Sequence, residues 1–274
     1  SAGFLTRAVV GALQIVQLPS ASTRTRLYVD KNAVGFNNGG TWTNAMTDLQ
    51  EALDAASLGG GSHFEVWVAN AFYYPGTTRD ATFKIASGLK IYGGFAGTES
   101  LLSQRPNPFT NATYLSGGIG TSSTTDDSYT VVTLQNCDNT TEFDGFYIAR
   151  GHNDGTGHGG GMVISGGFAP RIRNCDFTTN TATNGGGHIY STSSYPDIIN
   201  CVFYHGDASN GVGGAIEAAG PTGSLTVQNC KFLGNTATGE GGAVYTSSLF
   251  SDFTNCLFSG NSTDFQAGAI RAAG

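Results

Sequence analysis

The stretch Asn229-Cys230-Lys231-Phe232-Leu233-Gly234-Asn235, with Gly241-Gly242-Ala243-Val244 shortly after it, decides the fold of this chain. It is one copy of several. Asn-Cys stands at Asn136-Cys137, Asn174-Cys175, Asn200-Cys201, Asn229-Cys230 and Asn255-Cys256, and the cysteines are 38, 26, 29 and 26 residues apart. Phe follows the cysteine by two at Phe177, Phe203, Phe232 and Phe258. Three residues further on come Asn180, Asn235 and Asn261, with Gly206 as the exception. Then come Gly186-Gly187-His188, Gly213-Gly214-Ala215, Gly241-Gly242-Ala243 and Ala267-Gly268-Ala269, each followed by an aliphatic residue: Ile189, Ile216, Val244 and Ile270. Short alternating strands such as Arg171-Ile172-Arg173 and Leu225-Thr226-Val227 precede the Asn-Cys pairs.

Self-similarity at 20–50 residues means a solenoid or a propeller. A leucine-rich repeat of this period would show a leucine framework, and a propeller blade needs about 40 residues. A period of 26–29 holds three strands of four or five residues with their turns. One coil of a parallel β-helix fits it. In-phase residues then stack about 4.8 Å apart along the axis, so every repeated position becomes a ladder. The Cys and Phe columns, two residues apart, belong on one inward face. The Asn column belongs at a bend, with amides bonding coil to coil, and the Gly pairs permit tight bends.

Composition agrees with this reading. The chain has 274 residues, 41 of them Gly, with 39% hydrophobic and only 12% charged residues. Enough apolar material is present for a core, and a disordered chain is excluded. No apolar run of 18 or more residues reads as a membrane helix. The net charge of −7 repels phosphate backbones, which disfavours general nucleic-acid binding. The five cysteines form no CxxC motif. Parallel ladder positions do not converge on a metal, so buried free thiols are expected rather than a metal centre or a disulfide framework.

Upstream the period fades while strands persist: Phe64–Val68, Thr82–Ile85, Leu89–Tyr92 and Tyr129–Val132. The 12 extra residues of the longest cysteine gap hold a further strand, Phe143–Ile148, and a loop, Asn153–Gly160. Residues 44–57 read as a helix, with Ala45, Leu49, Ala52, Leu53 and Ala56 on one face. Thr43 or Asn44 is its N-cap, and Gly59-Gly60-Gly61 ends it. A helix placed there caps the exposed end of the core. The expected fold is all-β: a right-handed, single-stranded parallel β-helix of roughly eight coils over 27–274, regular from about 137, with an N-terminal α-helical cap.

The pattern FxxN followed by GGA and an aliphatic residue resembles the repeat of bacterial polymorphic outer membrane proteins. Phe232-Leu233-Gly234-Asn235 with Gly241-Gly242-Ala243-Val244, Phe177-Thr178-Thr179-Asn180 and Gly213-Gly214-Ala215-Ile216 carry the resemblance. Ile91-Tyr92-Gly93-Gly94-Phe95-Ala96-Gly97-Thr98-Glu99 and Leu27-Tyr28-Val29-Asp30 are similar to the head of large secreted β-helix proteins of the pectin-lyase-like superfamily. The resemblance implies a β-helix that is secreted or displayed on the cell surface, adhesive or architectural. It does not imply one activity.

Polysaccharide hydrolases of that superfamily combine clustered aspartates, Gly-His-Gly and Arg-Ile-Lys. This chain has Asp126-Asp127, Gly157-His158-Gly159 and Arg171-Ile172-Arg173 in that order. The repeat argues against convergence. Arg171 and Arg173 align with Asp197 and Ile199, Thr226 and Gln228, and Asp252 and Thr254, which are outward positions of a routine strand. His158 and Arg171 are under half a coil apart, so they do not share a face. Asp126-Asp127 reads as solvated loop, and Arg171 with Asp197 as an exposed cross-coil ion pair worth under about 1 kcal/mol. Asp197 and Asp252 make at best a weak calcium column. His152, His158, His188 and His205 form no HxH or HExxH and read as surface residues. No GxGxxG lies between a strand and a helix.

No residue is therefore assigned a catalytic, cofactor-binding or metal-ligating role. The expected function is a non-catalytic structural or adhesive protein. The alternatives are a carbohydrate-active lyase or hydrolase and a glycan-binding module. Residues 1–26 form an apolar arm resembling a signal segment. It is expected to pack on its own cap or on a neighbour. The half coil at 268–274 is expected to continue or to be stacked upon, so self-association through the arm and the open coil is the expected partnership, with a surface glycan as a further partner.

Overall fold

The computed structural model describes residues 26–61, 64–120, 123–155, 157–220, 224–247 and 250–273, together with the strands Phe4–Val9 and Ala12–Gln17, which pair antiparallel. How the arm at 1–26 packs lies outside the described residues.

From Arg26 onward the chain winds into a parallel β-solenoid of about seven turns. Three long sheets run along it. The first has eight strands, from Arg26–Val29 to Phe250–Thr254; the second has seven, from Phe72–Tyr73 to Leu257–Ser259; the third has seven, from Phe83–Ile85 to Ile270–Ala272. A short five-stranded sheet, His152–Asn153 to Ser262–Thr263, bridges the second and third. Seven turns replace the expected eight, because one coil is much longer than the rest. The stacked core positions Phe143, Ile172, Ile198, Val227 and Phe253 are 29, 26, 29 and 26 residues apart, but Ile91 and Phe143 are 52 apart.

The interior is built from the expected ladders. Cys175, Cys201 and Cys230 are at most 1% exposed, and Cys256, on the last coil, is half-buried. Phe177, Phe203, Phe232 and Phe258 stack with centroids 5.1, 4.8 and 4.6 Å apart. All five thiols are free. Cys137 is buried as well but belongs to another column. Tyr147 lies opposite Asp176, so the residue opposite Cys175 is Phe146. The first Asn-Cys pair instead follows the strand Val132–Gln135, where Asn136 N–H donates to Ser165 O at 2.8 Å.

The asparagine of each Asn-Cys pair has a positive φ: 50° at Asn174 and 56° at Asn200 and Asn229. Asn tolerates this left-handed conformation better than other chiral residues. At Asn174, Asn200, Asn229 and Asn255 it turns the chain sharply from the first sheet to the second. The side chains then link the coils: Asn200 Nδ2 donates to Asn174 Oδ1, and Asn255 Nδ2 donates to Asn229 Oδ1 at 2.7 Å.

Three expectations need correction. The helix spans Leu49–Leu58 rather than 44–57, capped by Asp48, whose carboxylate accepts from Glu51 N–H at 3.0 Å. Neither Thr43 nor Asn44 caps it; Asn44 Oδ1 accepts from Phe36 N–H at 3.0 Å in the preceding loop. The expected strand Phe143–Ile148 is two strands, Glu142–Asp144 and Phe146–Ala149, broken by Gly145 with φ 86°. The expected strand Tyr129–Val132 falls on Val132–Gln135.

Candidate functional site

The three hydrolase-like elements lie apart in the fold. Asp127 sits in the loop between the second and third sheets, His158 in the loop entering the third sheet, and Arg171 on the first sheet. Arg171 lies opposite Asp197 in register, yet among the described residues no ion pair joins them. Arg173 approaches Glu142 at 3.8 Å instead. Thr226 separates Asp197 from Asp252 in the same row.

Asp127 is not the solvated residue expected from its Ser/Thr-rich surroundings. It is fully buried, and Arg150 grips both oxygens at 2.8 and 3.1 Å. Burial raises its pKa, and the Arg150 hydrogen bonds oppose that. Two more arginines fasten loops in the same manner. Arg79 makes paired hydrogen bonds to Asp154 at 2.8 and 3.2 Å, which hold that carboxyl below its ordinary range. Arg105 meets Asp144 at 2.6 Å, with side chains 12% and 8% exposed. Arg105 and Asp127 sit in the two insertions of the 52-residue coil, and Asp144 and Arg150 flank the strand Phe146–Ala149. The long coil is thus pinned on both sides of one strand.

His158 has a partner that its sequence neighbours do not reveal. Its Nδ1 lies 2.7 Å from Oε2 of Glu217, two coils along the third sheet. The imidazole stacks on Tyr190 of the intervening coil with centroids 4.3 Å apart. Glu217 is 7% exposed, and burial raises its pKa against the lowering pull of His158. This pairing fixes the ring's orientation on the third sheet and turns Nε2 away from Glu217. Glu217 escapes sequence reading because its column mixes Lys84, Thr133, Val163, Tyr190, Tyr245 and Arg271, so one more charged outward residue carries no signal.

The other histidines divide. His152 is half-buried, with Nδ1 2.6 Å from Thr181 Oγ1, and His205 stacks on exposed Tyr204. His188, expected on the surface, is fully buried beneath the Phe ladder. Among the described residues no group of three or more His, Cys, Asp or Glu side chains is placed to hold a metal ion. No described helix is long and apolar enough to cross a membrane.

No curated protein and no solved structure matches the chain. The family model for a right-handed β-helix region matches residues 109–272, well over half of the sequence. The stacked parallel coils, the inward ladders and this match agree, and the chain belongs to the right-handed β-helix family.

Proposed function

We propose that the protein is a non-catalytic structural or adhesive β-helix, secreted or displayed at a cell surface. One observation carries this reading: the three hydrolase-like elements stay apart in the fold, while four arginines are engaged pairwise with carboxylates in holding one segment to another. Arg79 with Asp154, Arg105 with Asp144, Arg150 with Asp127 and Arg271 with Glu240 close at 2.6–3.1 Å. Association with further copies belongs to the same proposal.

His158 with Glu217 favours a second reading, a carbohydrate-active enzyme, because a carboxylate-oriented imidazole beside Tyr190 has the form of a general base. Incubation with a panel of polysaccharides, scored for new reducing ends and unsaturated products, separates the two. The first reading expects no product above buffer. Products that disappear in His158→Ala with the fold retained overturn it. Sedimentation across a concentration series tests association: larger species are expected, and a monomer throughout contradicts it.

A further inference from the structure

The asparagines three residues after each ladder Phe tie each coil to the one before it. Asn180 Nδ2 donates to Ile148 O, and its Oδ1 accepts from Gly151 N–H, both at 2.9 Å. Asn235 repeats this with Phe203 O and Gly206 N–H, and Asn261 with Phe232 O and Asn235 N–H. One coil breaks the series, because Gly206 stands where Asn is required. A second column breaks at the same place. Gly161, His188, Ala215, Ala243 and Ala269 stack in register, and His188 is the only large member. Gly161 faces the coil of Asn180, Ala215 that of Asn235 and Ala243 that of Asn261. His188 alone faces the coil of Gly206.

The imidazole occupies the room the missing asparagine leaves. A Cβ added at Gly206 would lie 2.5 Å from His188 Cδ2 and 2.6 Å from Nε2, and 2.4 Å from the backbone oxygen of Gly214, so an asparagine there displaces the ring and also shifts the backbone. The ring is 0% exposed, 6.0 Å from the centroids of both Phe177 and Phe203. Asn180 Oδ1 is held by Gly151 N–H, so the Asn180 amide turns its Nδ2 donor toward His188 Nδ1 at 3.0 Å. Nδ1 must therefore be the unprotonated acceptor. A proton added there would set donor against donor in a dry interior.

We propose that His188 and Gly206 are one exchanged unit of the ladder, and that proton uptake by this imidazole opens the junction between the Phe177 and Phe203 coils in mildly acidic surroundings. The titratable group bearing on the ring is His205, from the turn after Phe203, which opposes a second positive charge. On the two packed strands, Asp176 and Tyr204 lie on outward positions, so neither offers a carboxylate or phenolate to the ring. Burial supports the same direction, pushing the imidazole down to about 3. The folded value lies below the unfolded one, so this contribution to stability is complete above about pH 6.5 and falls as pH drops toward 3.

The test uses the full chain and the double variant H188A/G206N, which restores the Ala-with-Asn pairing of the neighbouring coils. Exchange of the amides at 176–178 and 202–204, corrected for intrinsic rate, reports opening of the junction. The wild type is expected to open more readily on acidification, by up to about tenfold per pH unit between pH 6 and 4, the limit for one proton. The double variant is expected to lose that dependence. G206N alone is expected to be less stable than wild type at every pH, and addition of H188A to recover the part of that loss that the ring contact causes, the approach to Gly214 O remaining in both variants. An acid dependence equal in wild type and double variant, or a double variant no more stable than G206N, overturns the proposal. A His188 ring signal in the wild type that titrates near 6.5 with the fold intact also overturns it, whatever the variants do.

Discussion

Two single positions show how the coil constrains its residues. The position after the second-sheet strands has a positive φ in every regular coil: Arg150 60°, Thr179 50°, His205 55°, Gly234 62° and Gly260 66°. Gly fits this turn without cost, whereas a β-branched residue there is strained by about 1–2 kcal/mol. Thr179→Gly is expected to stabilise the protein by about 0.5–1 kcal/mol after the entropy of a Gly in the unfolded chain is counted. An unchanged or lower urea midpoint would contradict it. Asp176 is the second case. Burial raises its carboxyl to about 6. Its folded value lies above the unfolded one, so its contribution is most favourable below about pH 4 and worsens as pH rises through 6. Asp176→Asn should therefore raise the melting temperature near neutral pH, with the gain vanishing toward pH 4. Sequence reading finds the Asn-Cys pairs at once but not why Asn stands there. The left-handed backbone is a property of the turn, and a dipeptide repeated at Asn136-Cys137 looks the same although it lies at another corner.

The elements most legible in the sequence are those repeated most often. The strands of the regular coils, the Phe and Cys columns and the existence of a cap helix follow from period and polarity. The 52-residue coil does not, because its two insertions carry no periodic signal and are held by charges distant in sequence. Arg105 and Asp144 are 39 residues apart, and Arg150 and Asp127 are 23 apart. The same distance hides the link from His158 to Glu217, 59 residues on. Asp144 also accepts from Asn174 Nδ2 at 2.9 Å, so it joins the long coil to the first regular turn. Asp144→Ala strands a buried guanidinium and is expected to cost about 3–5 kcal/mol. Proteolysis within 98–112 should accelerate in that variant; a cleavage pattern and urea midpoint like the wild type would show that the pair is not a fastener. At the cap, Asp48→Ala removes the acceptor for Glu51 N–H and should cost about 1 kcal/mol, read from the same unfolding curves.

At the scale of the whole molecule, the ladders make the solenoid a single continuous core, running from the cap residues Leu49 and Leu53 to Val244. Phe203 lies inside the Phe ladder, stacked between Phe177 and Phe232 and fully buried. Phe203→Ala is expected to cost about 3–5 kcal/mol. The central claim is that the repeat is a coil whose cysteines point inward. Native-state thiol labelling tests it most directly. Of the five cysteines, the half-buried Cys256 should react first, while Cys137, Cys175, Cys201 and Cys230 remain unlabelled until the chain unfolds. Labelling of Cys175, Cys201 or Cys230 at the rate of an unfolded thiol, with the fold intact, would contradict the account.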